Sequence, residues 1–242
     1  MKIICLHHAG GNGFVFYSWK KYLTDYQLLP LDLPGHGSRI QEPLLYDFDI
    51  AVQVLTRQVI SKTEDGEEYV IFGHSMGGLM ILYILNQLEK QGKRLPKGVI
   101  LSGASVPEEI PDRKKVKDMS EKEFMDMIYK QGGTSKMLME TEEFRECFMP
   151  VIRADYILLD EKKLIHHKGR FPVKAVIFNG EEDVSARENE EQLKAYFEGK
   201  VPVVHFKGGH FYFEHQVPFV CEQINNYIEK CFGKVFEHAI DY

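Results

Sequence analysis

The pentapeptide Gly73-His74-Ser75-Met76-Gly77 carries the first chemical signal, a G-x-S-x-G pattern. It follows an apolar run at 69–72 and opens an amphipathic stretch at 77–90, so the serine falls on a strand-to-helix turn. Such a turn is tight, and side chains two residues either side of the serine would collide, hence the glycines. A serine there sits at a helix N-terminus, where free N–H groups and the helix dipole favour developing negative charge. A hydroxyl is a weak nucleophile and needs a base, which in turn needs an orienting acid. In this context the order along the chain is Ser, then Asp or Glu, then His. Asp183 follows the run at 173–178, in Asn179-Gly180-Glu181-Glu182-Asp183. His210 follows the run at 201–206, in Lys207-Gly208-Gly209-His210. Both lie beyond C-terminal strand ends, on the edge that carries Ser75. Glu181 and Glu182 compete for the acid role and read as solvated loop. His205 and His215 compete for the base role, the first as a packed strand residue and the second as a surface or capping one. The expected triad is Ser75, Asp183 and His210.

An oxyanion needs two donors. Leu6-His7-His8-Ala9-Gly10-Gly11 follows the first apolar run, and its glycines let the backbone turn its N–H groups toward the site. The backbone N–H groups of Ala9 and Met76 are the candidate donors. Gly10-Gly11-Asn12-Gly13 lacks the full dinucleotide pattern, because position 16 is Phe16. The adjacent pairs His7-His8 and His166-His167 do not easily face one ion, and there is no H-E-x-x-H, no P-loop and no CxxC.

The elements that must position these residues alternate. Short apolar runs at 2–6, 27–32, 69–72, 98–101, 173–178 and 201–206 are rich in Val, Ile and Leu without strict alternation, as strands buried on both faces are. Amphipathic stretches lie between them at 16–23, 49–63, 77–90, 188–197 and 218–232. This order predicts an α/β fold, a mostly parallel twisted sheet with helices on both faces. About 70 residues separate the strand ending at Leu101 from the next, far more than one crossover needs. Within them 119–130 and 141–160 read as helices, with a break at Gly132-Gly133. Residues 107–170 are therefore expected to form a helical lid insertion within a single domain, 1–242, bordering the site at the C-terminal strand ends.

The chain has 242 residues, of which 44% are hydrophobic and 27% charged, enough for a sizeable core without staples. Its net charge of -6 gives no reason to expect nucleic acid as a partner. The four scattered cysteines fit a reducing cytosol. No 18-residue apolar run exists and the N-terminal run is short for a signal peptide, so a cytoplasmic protein without a membrane span is expected.

Together these motifs resemble an α/β-hydrolase, and more narrowly the type II (external, editing) thioesterases of nonribosomal peptide and polyketide assembly lines. The similar segments are His8-Ala9-Gly10-Gly11, Pro34-Gly35-His36-Gly37-Ser38-Arg39, Phe72-Gly73-His74-Ser75-Met76-Gly77-Gly78, Pro150-Val151-Ile152-Arg153-Ala154-Asp155-Tyr156 and Gly208-Gly209-His210-Phe211-Tyr212. His8 stands where the family often has an aromatic residue, and Glu181 where a small or polar one is common. The resemblance implies hydrolysis of acyl groups from the phosphopantetheine thiol of acyl or peptidyl carrier proteins. It implies no cofactor of the enzyme's own, and a monomer. A small-molecule carboxylesterase or an acyltransferase would use the same triad. Two basic clusters in the insertion, Arg113-Lys114-Lys115-Val116-Lys117 and Lys162-Lys163 through His166-His167-Lys168-Gly169-Arg170, either meet the carrier or are solvated beside acidic neighbours. The insertion holds 13 Lys and Arg against 14 Asp and Glu, so it is not basic as a whole. Arg153 and Asp155 are expected to join the lid helix to its surroundings.

Overall fold

The computed structural model describes residues 1–106, 114–132, 136–163, 165, 167 and 169–233. The first residues of the expected insertion, 107–113, lie outside them, as do His166 and Lys168 of the second basic cluster.

The apolar runs pair into one six-stranded sheet. Its strands are β1 (Lys2–Leu6), β2 (Gln27–Leu31), β3 (Tyr69–His74), β4 (Gly98–Ser102), β5 (Lys174–Gly180) and β6 (Val203–Phe206). Their order is β2-β1-β3-β4-β5-β6, and every neighbouring pair is parallel. The helices are α1 (Phe48–Lys62), α2 (Met76–Lys90), α3 (Glu121–Gln131), α4 (Lys136–Met139), α5 (Met149–Glu161), α6 (Val184–Glu188), α7 (Glu190–Lys194), α8 (Tyr212–His215) and α9 (Val217–Phe232).

Alternate strand residues feed two separate cores. Ile4, Leu6, Ile71, Val99 and Leu101 pack with residues of α1 and α2 on one face. Ile3, Cys5, Val70, Phe72 and Ile100 pack with α9 and the Phe16–Trp19 pair on the other. Both faces are covered, so both sets are apolar, and the sequence shows runs rather than alternation. Each buried side chain of this size stabilises the fold by about 1.5–3 kcal/mol. The order reverses between β1 and β3, because β2 lies on one side of β1 and the chain returns on the other. That reversal opens a crevice at the strand C-termini. Leu6 is in register with Gly73, so the loop after β1 and the turn after β3 meet there.

Three expected helices take a different form. The stretch at 16–23 is a 3-10 segment, Gly13–Lys21, started by Asn12, whose side chain accepts from the Phe14 amide at 2.9 Å. The stretch at 188–197 holds only the short α7, because α6 ends at Glu188 and Asn189 separates the two. The stretch at 141–160 begins as one π-helical turn, Phe144–Phe148, before α5. Between β4 and β5, Val116, Phe124, Ile128, Met139 and Phe144 form a third, smaller core. Arg153 on α5 donates to the carbonyls of Val116 (3.1 Å) and Met119, tying the incoming chain to the helix.

Cys5 and Cys221 are buried, Cys231 is half-buried and Cys147 is exposed on the π turn. Among the described residues no helix is long and apolar enough to cross a membrane.

Candidate active site

Ser75 stands between β3 and α2 with φ +54° and ψ −115°, the one non-glycine residue with positive φ among those described. A backbone of this kind costs about 1–3 kcal/mol and persists only where its surroundings fix it. Here the Ser75 amide donates to the Ser102 carbonyl at 2.8 Å, and its own carbonyl accepts from Leu79 at 3.0 Å. The flanking glycines are sterically required. A Cβ on Gly77 would lie 2.5 Å from the Leu6 carbonyl oxygen, and one on Gly73 would lie 2.4 Å from that of Gly77.

Asp183 and His210 are brought together from the ends of β5 and β6. His210 Nδ1 donates to Asp183 Oδ2 at 2.6 Å. The other Asp183 oxygen accepts from the Ala186 amide at 3.2 Å, so the same carboxylate caps α6. Asp183 is buried, whereas Glu181 and Glu182 are exposed. His205 is exposed on the edge strand and pairs with Glu190 at 2.7 Å, rather than being packed as its strand position suggests. His215 is exposed at the end of α8. With Nδ1 committed to the carboxylate, the free nitrogen of His210 is Nε2.

Ser75, His210 and Ala9 line two cavities that meet at the serine. The smaller, about 160 Å³, is walled by Ile128, Leu138, Phe144, Phe148, Ile152 and Phe211. The larger is a cleft of about 1010 Å³, with Ser105, Asp126, Met127, Lys130, Leu159 and Ser185 on its walls. Met76 is the first residue of α2, so its amide is one of the helix's orphan donors. Ala9 comes to the site from the loop after β1.

Behind the serine lies a buried polar chain that the sequence reading did not find. His74 Nδ1 is 2.8 Å from Ser102 Oγ, which is 2.5 Å from the Tyr212 hydroxyl. The His74 ring lies 4.2 Å from the Phe213 ring and 4.9 Å from the His210 ring, centroid to centroid. The signal was lateral: His74 and Ser102 are register partners across β3 and β4. Burial first, then the charges of His210 and His8, hold the His74 pKa well below the usual histidine range. Burial, with His7 and His210, takes His8 down to about 3. Both rings beside His210 are thus neutral at neutral pH.

The loops are braced by two buried carboxylates. Asp32, after β2, accepts from the amides of Gly13 (2.6 Å) and Ser38 (2.8 Å). Asp155 on α5 accepts from the Gly10 amide at 2.7 Å and meets His36 Nε2 at 2.9 Å. Asp155 and Arg153 do join α5 to its surroundings, as expected.

Residues 1–228 match the family described as thioesterase domain. The chain belongs to the thioesterase family. Among its relatives, the thioesterase PikA5 of Streptomyces venezuelae is 26% identical over 94% of this chain and 81% of that one. The medium-chain S-acyl fatty acid synthase thioesterase of Rattus norvegicus is 30% identical over 95% and 87%. A solved structure, ClbQ from the colibactin NRPS/PKS pathway, superposes with a TM-score of 0.87 at 27% identity, covering 95% of this chain and 97% of that one. The expected type II thioesterase resemblance and α/β-hydrolase-type fold are borne out, and this thioesterase is a thioester hydrolase.

Of the two basic clusters, the described lysines are engaged within the chain. Lys114 pairs with Glu123 at 2.7 Å, Lys115 and Lys117 each with Glu161 at 3.2 Å, and Lys163 with Asp49 at 2.8 Å. Lys162 donates to the Leu159 carbonyl at 3.0 Å. These pairs put acidic neighbours beside the described lysines.

Proposed function

We propose that this thioesterase removes short acyl groups from the phosphopantetheine thiol of carrier proteins, clearing misprimed or stalled nonribosomal peptide or polyketide synthetases. The carrying observation is the placing of Ser75 where two unequal cavities meet. A protein-tethered arm needs an open approach, which the larger cleft supplies. The acyl group then occupies the smaller apolar cavity, well below the about 300–1,000 Å³ usual for a whole small-molecule site. The segment between β4 and β5 acts as the lid over both, within the expected insertion 107–170.

Ser75, His210 and Asp183 are the catalytic residues in this reading. His210 Nε2 takes the Ser75 proton as Oγ attacks the thioester carbonyl carbon. The carbonyl oxygen becomes an oxyanion held by the Ala9 and Met76 amides. Collapse expels the pantetheine sulfur, which takes the proton from His210. Water, deprotonated by His210, attacks the acyl-Ser75 ester; the acyl–Oγ bond breaks, His210 returns the proton to Ser75 Oγ, and the free acid leaves. Asp183 keeps the imidazole in the right tautomer and stabilises its cationic form. ClbQ, the solved relative named for the colibactin NRPS/PKS pathway, supports the carrier as partner.

The test compares one acetyl group on a phosphopantetheinyl carrier protein, on a free thiol and on a nitrophenyl ester, with Ser75→Ala as control. The carrier-bound thioester should show much the highest kcat/KM, and Ser75→Ala should abolish it. Equal or better turnover of the free ester would reassign the enzyme to general esterase chemistry. An acylated small product in place of free acid would make it an acyltransferase.

A further inference from the structure

A buried charged contact joins helix α5 to the loop that carries the Ala9 amide. Asp155 is fully buried, and its Oδ2 accepts from the Gly10 N–H at 2.7 Å. Gly10 has φ +75°, and a Cβ there would lie 2.4 Å from Ile152 Cγ1. Ile152 and Asp155 are three residues apart on α5 and so share a face. One turn of α5 therefore grips the residue directly after Ala9.

A second route reaches the preceding peptide, on the other side of Ala9. The Ala9 N–H belongs to the His8–Ala9 peptide, whose plane is rigid, so fixing the His8 carbonyl aims the Ala9 N–H in the opposite direction. That carbonyl accepts from the Gly11 amide at 3.0 Å and lies 2.8 Å from His7 Nδ1. The His7 ring stacks on His36, with centroids 5.1 Å apart and planes at 28°. His36 Nε2 in turn meets Asp155 Oδ2 at 2.9 Å. Both routes, one through Gly10 and one through His36, His7 and the His8 carbonyl, begin at a single carboxylate oxygen on α5.

We propose that Asp155 is a positioning residue for the oxyanion hole, and that the hole is complete only while helix α5 is seated on the core. Hydrolysis is thereby coupled to the seating of the lid. A thioester that arrives with α5 displaced meets a nucleophile but one misaimed amide. This rests on the proposed reading of Ala9 as an oxyanion donor.

The experiment measures kcat and KM on the acetyl-carrier thioester for Asp155→Ala and Asp155→Asn. It adds the Kd of an alkyl boronic acid, whose tetrahedral adduct with Ser75 puts an oxygen in the hole. Asp155→Ala should lower kcat about 10- to 100-fold and weaken the boronic acid comparably, with KM within about threefold. Asp155→Asn keeps an oxygen for the Gly10 amide and should recover part of both losses. Arg153→Ala, which releases the Val116 and Met119 carbonyls without touching Gly10, should lower Tm yet hold kcat within about threefold. Wild-type kcat and boronic acid affinity in Asp155→Ala would overturn the proposal, as would a kcat loss equal to the unfolded fraction. If Asp155→Ala does not fold, Asp155→Asn decides alone, by matched losses in kcat and boronic acid affinity or by wild-type values of both. Retained turnover in Ser75→Ala would instead sink the triad reading, whatever Asp155 does.

Discussion

At the scale of single residues, Asp183 does two things with two oxygens. One orients His210 and the other caps α6, so a change there tests chemistry and structure together. Asp183→Asn keeps the shape and an acceptor for the cap but frees the imidazole tautomer. It should cost about 10⁴-fold in kcat while the far-UV spectrum and Tm stay near wild type. Gly77→Ala belongs to the other kind. Its Cβ would lie within 2.5 Å of a backbone oxygen that cannot move without shifting β1. Its yield of soluble protein, or its Tm by calorimetry, should collapse, a loss of more than about 4 kcal/mol. The residues of the proposed triad stand out in the sequence because each follows an apolar strand in a glycine-marked loop. Ser102 and Tyr212 could not, because their part depends on which strands lie side by side, and no local spacing records the β3–β4 register.

Among the elements, the sheet was legible and the short helices were not. Runs of Val, Ile and Leu reflect burial on both faces, a demand the whole fold imposes. The 3-10 segment after Asn12 and the break at Asn189 depend on single side-chain caps, which periodicity does not resolve. The π turn at Phe144–Phe148 is a further case, and it sets two aromatic side chains, their ring planes 19° apart, at the wall of the small cavity. Phe148 is partly exposed there, so trimming it opens the wall at little cost to the core. Phe148→Ala should raise kcat/KM for hexanoyl relative to acetyl carrier by several-fold, since one methylene in an apolar pocket is worth about 1–3 kcal/mol. An unchanged ratio across an acyl-length series would place the acyl group elsewhere.

For the whole molecule, the buried histidines predict how stability follows pH. Burial lowers the pKa of His7, His8 and His74 in the folded protein. Each contributes stability that is complete above the unfolded value of about 6.5 and is lost as pH falls toward the folded value, at about 1.4 kcal/mol per pH unit. His36 runs the other way. Burial lowers its pKa, but the hydrogen bond and charge of Asp155 outweigh that, and the folded value is raised. Its contribution is complete below about 6.5 and fades as pH rises through the folded value. Denaturant midpoints should therefore peak near neutrality, fall steeply toward pH 5 and decline gently on the alkaline side. His36→Gln should flatten only the alkaline limb. The cysteines offer a way to watch the segment between β4 and β5. Cys5 and Cys221 are sealed in the core, with burial pushing the Cys221 thiol up to about 12, and burial also raises Cys231. Cys147 alone among the four stands exposed, on the π turn that leads into α5. A maleimide dye added briefly at neutral pH would thus mark the turn leading into α5 in the native enzyme, and its emission would test whether α5 moves during turnover.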